Sequence, residues 1–322
     1  MVKKVFLLFS GGLDSIIAAR LLKLRGFEVE AVHFKTPFFG KEEGELKELA
    51  DRIGVELKVF DITDEFLPIL KNPPHGYGKN ANPCIDCKAL MLKKLKEIAG
   101  GGIIATGEVV GQRPMSQRAQ ALRLIEKIAG LEGRVLRPLS GKLLPPTVYE
   151  ENGFIKRDWL LNLQGRSRKR YPEIVKSLGI DADLPTPAGG CLLTQPAFAK
   201  KVKDLIKHGH LTKEDIVLLK IGRHFRLFDG KLVVGRNREE NLFLKNFAKG
   251  EDILFYTVDV PGPAAILRHS FSPEDVELAS RIVAGYSDGK NRDAVLVAVE
   301  RNGKREEIKI EPLLNFDSYR VT

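Results

Sequence analysis

The sequence predicts an α/β protein, a doubly wound parallel sheet followed by a second, smaller α+β domain. Residues 5–9, Val-Phe-Leu-Leu-Phe, form the continuous apolar run of a buried parallel strand, and apolar residues then recur at helical spacing over 14–25. The alternation repeats, with strand-like runs at 29–34, 55–60 and 103–106 and helical patterns at 42–53 and 91–99. After Arg137-Pro138-Leu139 it fades, and Pro185, Pro187, Gly189 and Gly190 break the chain before Cys191. The boundary is therefore expected near residue 200, with domains at 1–200 and 201–322.

Taken in order, the first strand, a glycine-rich loop and the 14–25 helix make one strand-loop-helix unit. Between Lys71 and Pro83, a stretch with Pro73, Pro74, Gly76, Gly78 and Asn80 follows neither period and reads as a mobile loop beside the sheet. The second domain shows strand-like runs at 232–234, 253–258, 264–267 and 294–299 and one helical pattern at 273–286.

Composition narrows the function classes. At 322 residues, 43% hydrophobic and 29% charged, the chain is too long for one ordinary core and too apolar for disorder. No apolar run approaches the roughly 20 residues that span a bilayer, and Met1-Val2-Lys3-Lys4 leads straight into a strand, so no membrane association and a cytoplasmic location are expected. A formal charge of +10 favours a polyanionic partner. Three cysteines are too few for a secreted disulfide framework and leave a catalytic or metal-binding cluster open.

Ser10-Gly11-Gly12-Leu13-Asp14-Ser15 places a glycine pair between a buried strand and a helix start, where backbone N–H groups and the helix dipole meet phosphate. Ser10 and Ser15 add hydroxyls; Asp14 would repel phosphates unless it meets a metal ion. The lysine of a γ-phosphate-transferring loop is missing. The motif in this context resembles the ATP pyrophosphatase family, which splits ATP between its α and β phosphates to adenylate a substrate. The resemblance implies ATP with Mg²⁺ on Ser10, Gly11, Gly12, Asp14 and Ser15, and Val32-His33-Phe34 beneath the adenine. His33 is given no chemical role.

Cys84 and Cys87, in Asn82-Pro83-Cys84-Ile85-Asp86-Cys87, stand at a helix start, where the dipole is expected to lower thiol pKa values. Cys191 follows a Pro- and Gly-rich turn that can fold back to the same crevice. The residues alone leave open a Cys84/Cys87 redox pair, a persulfide relay, and a cubane cluster with three cysteine ligands and one open iron. A closed zinc site would want a fourth ligand. The pattern resembles pyrophosphatase-loop tRNA thiouridine synthetases, which implies a 4Fe-4S cluster on Cys84, Cys87 and Cys191, with sulfide or a sulfur-donor protein as the source.

Residues 105–117 lie at the carboxyl edge of the sheet, where ligands bind in such folds. Thr106-Gly107-Glu108 and Gly111-Gln112 with Ser116-Gln117 resemble 4-thiouridine synthetases, implying ATP contacts from Gly107 and Gln112; Arg113-Pro114 departs from that pattern. Further on, Arg166, Arg168, Lys169 and Arg170 form a basic cluster suited to RNA phosphates. Residues 220–315, with Gly235-Arg236-Asn237-Arg238 and a helix ending at Tyr286-Ser287, resemble the RNA-binding domain of the NFACT proteins. There Gly235 is expected to make a tight strand turn that offers Arg236 and Arg238 to RNA, while Tyr256 replaces a usual His.

These resemblances imply ATP-dependent thiolation of a uridine in tRNA, with room for two chains to act on one tRNA as a homodimer. The rivals are a pyrophosphatase-loop enzyme acting on a small molecule, a lysidine-type ligase, and a non-enzymatic RNA-binding protein of ribosome rescue.

Overall fold

The computed structural model describes residues 4–180, 190–269 and 271–321. The chain divides into two units, Met1–Thr194 and Gln195–Thr322. The division falls a few residues before 200 because Pro196 already opens a helix of the second unit, whose Lys201 donates to the Leu219 carbonyl (3.2 Å) and whose Asp204 accepts from Arg226 Nη2 (2.8 Å).

In the first unit the elements run β1 (Lys4–Leu8), α1 (Leu13–Leu24), β2 (Glu28–Lys35), α2 (Glu43–Ile53), β3 (Glu56–Asp61), α3 (Thr63–Lys71), α4 (Cys84–Ala99), β4 (Ile103–Thr106), α5 (Ala119–Ala129), β5 (Val135–Leu136), α6 (Val148–Glu151) and α7 (Tyr171–Ser177). The sheet order is β3-β2-β1-β4-β5, parallel throughout. From β1 the chain steps outward to β2 and β3, then crosses back to β4. The order therefore reverses between β1 and β4, and the crevice for a ligand opens at their carboxyl ends.

Alternation along β1 builds a core on each face. Val5, Leu7 and Phe9 pack with Ile16, Ile17 and Leu46, whereas Phe6 packs with Val32, Phe34, Ile104 and Leu92. The expected helix at 91–99 begins seven residues earlier, at Cys84, because buried Asp86 and Ala89 continue its inner face. The unanticipated elements include α3, which contains Pro68, β5, only two residues long, and the short helices α6 and α7.

The second unit contains α8 (Pro196–Lys207), α9 (Lys213–Leu218), β6 (Arg223–Arg226), β7 (Lys231–Val234), α10 (Arg238–Phe247), β8 (Ile253–Thr257), β9 (Ala264–Arg268), α11 (Pro273–Gly285), β10 (Val295–Arg301) and β11 (Lys304–Ile310). Its antiparallel sheet runs β11-β10-β8-β9-β7-β6. Alternation again sorts the strands: Leu232 and Val234 pack with Leu278 and Ile282 of α11, and Val233 packs with Leu244 of α10. The edge strand β11, Lys-Arg-Glu-Glu-Ile-Lys-Ile, is exposed over most of its length. Among the described residues no helix is long and apolar enough to cross a membrane.

Candidate active site

At the carboxyl end of β1 the chain turns on Gly11, whose φ of +68° lies in the left-handed region; a Cβ there would also meet Leu46 Cδ2 at 2.7 Å and Lys41 Cδ at 2.9 Å. Gly12 caps α1 with extended backbone, its N–H donating to Ser10 Oγ (3.3 Å). Ser15 Oγ donates to the Gly12 carbonyl (2.8 Å), and Ser10 Oγ lies 3.4 Å from Ser15 Oγ. The hydroxyls thus brace the loop that ends at the amino terminus of a 12-residue helix, an anion-binding geometry.

The end of β4 packs directly against this loop. A Cβ on Gly107 would lie 2.7 Å from both the Ser15 nitrogen and its Cα, so only glycine permits the approach. Gln112 Nε2 donates to Asp14 Oδ2 (3.1 Å), and the Tyr171 hydroxyl donates to Asp14 Oδ1 (2.6 Å). Burial first, then the Asp14 carboxylate, raises the Tyr171 pKa and keeps the hydroxyl a donor. Phe34 is 3% exposed and sits within the core, with its ring 6.0 Å from that of Phe60. His33 is buried with Nδ1 2.7 Å from the Phe9 carbonyl, and burial lowers its pKa.

Glu108 is not a solvated loop carboxylate. It accepts from Lys88 Nζ (2.5 Å), Arg137 Nε (3.1 Å) and Thr106 Oγ1 (3.2 Å). Burial alone would raise its pKa, but the Lys88 and Arg137 cations prevail and hold it at about 2. Because Lys88 follows Cys87 on α4, this buried pair ties the cysteine helix to the β4 segment.

The fold brings the three cysteine-bearing segments into one neighbourhood. The Leu192 N–H donates to the Phe38 carbonyl (2.9 Å), the Ala81 N–H to the Leu193 carbonyl (3.1 Å), and Asn80 Nδ2 to the Thr194 carbonyl (2.6 Å). These bonds bring Cys191 to the loop that leads into Cys84. The Pro- and Gly-rich turn before it, at 185–189, lies outside the described residues. Asn82 Nδ2 donates to Cys84 Sγ (3.0 Å), and Asp86 holds the loop by accepting from the His75 N–H (3.0 Å).

The expected lowering of the thiol pKa values is overturned for two of them. Burial, then the proximity of Cys191 and Cys84, pushes the Cys87 thiol well up. Burial, then Cys84, pushes Cys191 up to about 11 against the Leu193 N–H and the Arg113 guanidinium. A helix terminus supplies roughly 0.3–1 kcal/mol, less than one pKa unit, and is outweighed by desolvation. Among the described residues no three His, Cys, Asp or Glu side chains could together hold a metal ion.

The basic cluster is fixed at both ends to this site. The Gly165 N–H donates to the Val110 carbonyl (2.8 Å) just before Arg166, and Tyr171, just after Arg170, reaches Asp14. Arg166, Lys169 and Arg170 are exposed; Arg170 donates to Asn162 Oδ1 (2.8 Å), and Arg168 lies 5.4 Å over the Tyr171 ring. In the second unit, Arg236 and Arg238 do not flank a strand turn. Asn237 caps α10, accepting from the Glu240 N–H (2.9 Å), and Arg238 is the first residue of that helix. Arg236 Nε donates to both Glu240 carboxylate oxygens (2.9 and 3.0 Å), so its charge is already matched.

Sequence reasoning missed Tyr171, Lys88, Arg137 and the influence of the Arg113 charge on Cys191. Only Arg113 carried a signal, as a departure from the related pattern.

With this geometry in view, residues 1–142 match the family model described as thiamine biosynthesis protein (ThiI), and residues 222–318 match that of the NFACT protein RNA-binding domain. The first unit thus resembles the ThiI model over residues 1–142, and the second resembles the NFACT RNA-binding model over residues 222–318. The chain is similar to a probable tRNA sulfurtransferase of Anoxybacillus flavithermus, 32% identical over 146 residues, which covers 42% of this chain and 35% of that protein. It is also similar to a tRNA-specific 2-thiouridylase MnmA of Sulfurimonas denitrificans, 33% identical over 121 residues and covering 34% of this chain and 36% of the relative. The chain spans a little over a third of the length of the curated relatives it matches.

Two solved structures also match. A 4-thiouridine synthetase–RNA complex with bound ATP is 23% identical, covering 68% of this chain and 52% of that one, with a TM-score of 0.35. The U34-tRNA thiolase NcsA of Methanococcus maripaludis with its 4Fe-4S cluster is 16% identical, covering 67% and 70%, with a TM-score of 0.34.

Proposed function

We propose that this chain is an ATP-dependent tRNA sulfurtransferase that adenylates a uridine carbonyl oxygen and then replaces the adenylate with sulfur. The observation that supports this most is the 107–117 segment. Its Gln112 holds Asp14 of the phosphate loop, and the charge of the next residue, Arg113, acts on the Cys191 thiol. This supports a reading in which nucleotide and sulfur chemistry share one crevice.

In this reading the N–H groups of Gly11 and Gly12, the start of α1, Ser10 and Ser15 hold the phosphates of ATP, with Asp14 turned toward the accompanying Mg²⁺. The uridine oxygen attacks the α-phosphorus and pyrophosphate leaves; the preorganised N–H groups stabilise the charge that develops. Sulfide then attacks the activated carbon, a C–S bond forms, the C–O bond breaks, and AMP departs without net redox change. Arg166, Arg168, Lys169 and Arg170, clamped beside Asp14, would track the tRNA backbone, and the NFACT-type unit would add affinity.

Cys84, Cys87 and Cys191 supply the three-thiol donor set of a cluster with one open iron, although as placed here they do not form a group that could hold a metal. A 4Fe-4S cluster bound there would supply a free iron as the holding point for sulfide, whether delivered as such or by a donor protein.

The test is an anaerobic preparation with cluster reconstitution, comparing wild type with Cys84→Ala, Cys87→Ala and Cys191→Ala. Visible iron-sulfur absorption and tRNA thiolation from ATP and sulfide should be lost together in each variant. A colourless wild type that thiolates tRNA in air would overturn the cluster in favour of a persulfide relay. Failure to release pyrophosphate from ATP with tRNA present would overturn the reaction itself.

A further inference from the structure

We infer that the carboxy-terminal unit holds one unstacked nucleotide of single-stranded RNA, its base against Arg223 and Leu242 and its phosphate on Arg238 and Lys245. The inference rests on the RNA-binding reading of this unit and adds the site and the form of RNA it selects.

A cavity of about 590 Å³ opens beside α10, lined in part by Arg223, Arg238, Asn241, Leu242, Lys245 and Tyr286. Four of these come from α10 at positions i, i+3, i+4 and i+7, which one helical face presents together. The face is bipartite. Arg238 and Lys245, both exposed, stand seven residues apart with Leu242 between them, and Leu242 is 60% exposed. A large aliphatic side chain left open between two cations suits a ligand that is itself an anion joined to an apolar-faced body.

The opposite wall supplies a plane. The Arg223 guanidinium lies 4.7 Å over the Tyr286 ring, and the Tyr286 ring in turn packs 4.5 Å from that of Phe316. Arg223 Nη1 donates to the Gly235 carbonyl (3.2 Å), which fixes its orientation. A guanidinium backed by two rings and pinned by its own hydrogen bond is a preformed stacking surface for a base. Arg236 also lines the cavity, but Glu240 answers its charge. The cations offered to a ligand are therefore Arg238 and Lys245, with Arg223 as the plane; Lys245 Nζ lies 4.6 Å over the Tyr256 ring, a contact that leaves its charge unneutralised. A paired base inside a duplex keeps its faces stacked and cannot enter such a site, whereas an unstacked one can.

The experiment uses the full chain and fluorescence anisotropy with a single-stranded RNA oligonucleotide, its duplex form, and adenosine monophosphate as competitor. Wild type should prefer the single strand. Lys245→Glu should weaken that binding about tenfold, and Arg238→Ala should lower the salt slope by about one. Arg223→Lys keeps the charge and loses the plane, so it should keep the slope and lose roughly tenfold of the preference over duplex.

Wild-type affinity and preference in Lys245→Glu and Arg223→Lys, with unchanged melting, would overturn the site while leaving the RNA-binding reading intact. A wild type that binds no RNA would overturn that reading and this inference with it. Displacement of the oligonucleotide by equimolar adenosine monophosphate would make a free nucleotide the ligand and overturn the RNA assignment.

Discussion

Arg137 and Arg238 carry the same guanidinium in opposite settings. Arg137 is 3% exposed and donates from Nε to Glu108 (3.1 Å), with Nη1 on Glu126, behind the end of β4. Arg238 is exposed on the first turn of α10, at the rim of a cavity. The first charge is used internally, to fix a carboxylate and through it the helix that carries Cys84 and Cys87. The second is left for something outside the chain. A net charge of +10 does not distinguish these uses; burial and the partner already present do.

The largest effect should come from breaking the internal use. Glu108→Gln leaves the partly buried Lys88 facing a neutral amide and Arg137 with Glu126 as its remaining carboxylate, and about 3 kcal/mol of stability should be lost in urea unfolding at neutral pH. The same pair sets an acid dependence. In the wild type the folded carboxyl titrates at about 2, below its unfolded value of about 4.3. Its stabilisation is therefore complete above about pH 4.3 and declines as pH falls toward 2. Glu108→Gln should lack this decline, and equal slopes in the two proteins would show that Glu108 is not the linked group.

Next in size, Gly107→Ala forces a Cβ against the Ser15 backbone and displaces the phosphate loop. ATP-dependent pyrophosphate release should fall on the order of 10²-fold, the effect of misplacing a site by about an ångström. RNA binding by the second unit should not change, and a variant with normal turnover would separate β4 from the nucleotide site. The smallest effect should be Arg236→Ala. The Arg236 side chain is half exposed and Glu240, though nearly buried, keeps the residue-236 N–H (2.8 Å), so the loss should cost less than about 1 kcal/mol in thermal melting, and RNA affinity should fall less than in Arg238→Ala. The reverse order would mean that Arg236 leaves Glu240 when RNA binds.

Much of the first unit was legible because its signals are local. The apolar run of β1, the glycine pair after it and the helical spacing of α1 lie within 25 consecutive residues. The second unit hid α10 because its opening, Asn237-Arg238-Glu239-Glu240, is wholly polar and reads as a charged hairpin tip; its Asn cap was the overlooked sign. In β11 the charged residues mask the period of two. The bond from Tyr171 to Asp14 spans 157 positions, and nothing near either residue records the other. Thiol ionisation was misread for a related reason. The helix start is visible in sequence, but the desolvation and the neighbouring sulfurs that outweigh it exist only once the chain has folded.

The charged edge of the second sheet has a consequence for handling the protein at high concentration. A strand that carries Lys304, Arg305, Glu306 and Glu307 accepts a neighbour's strand poorly, because an added strand would draw these four hydrated charges out of water. At the opposite edge, β6 is met by Arg320 through an isolated antiparallel bridge to Phe225. One margin is guarded by hydrated charge and the other by occupation. A truncation that removed residues near 320 would lift only the second guard, and fibre formation would then be expected to start from β6.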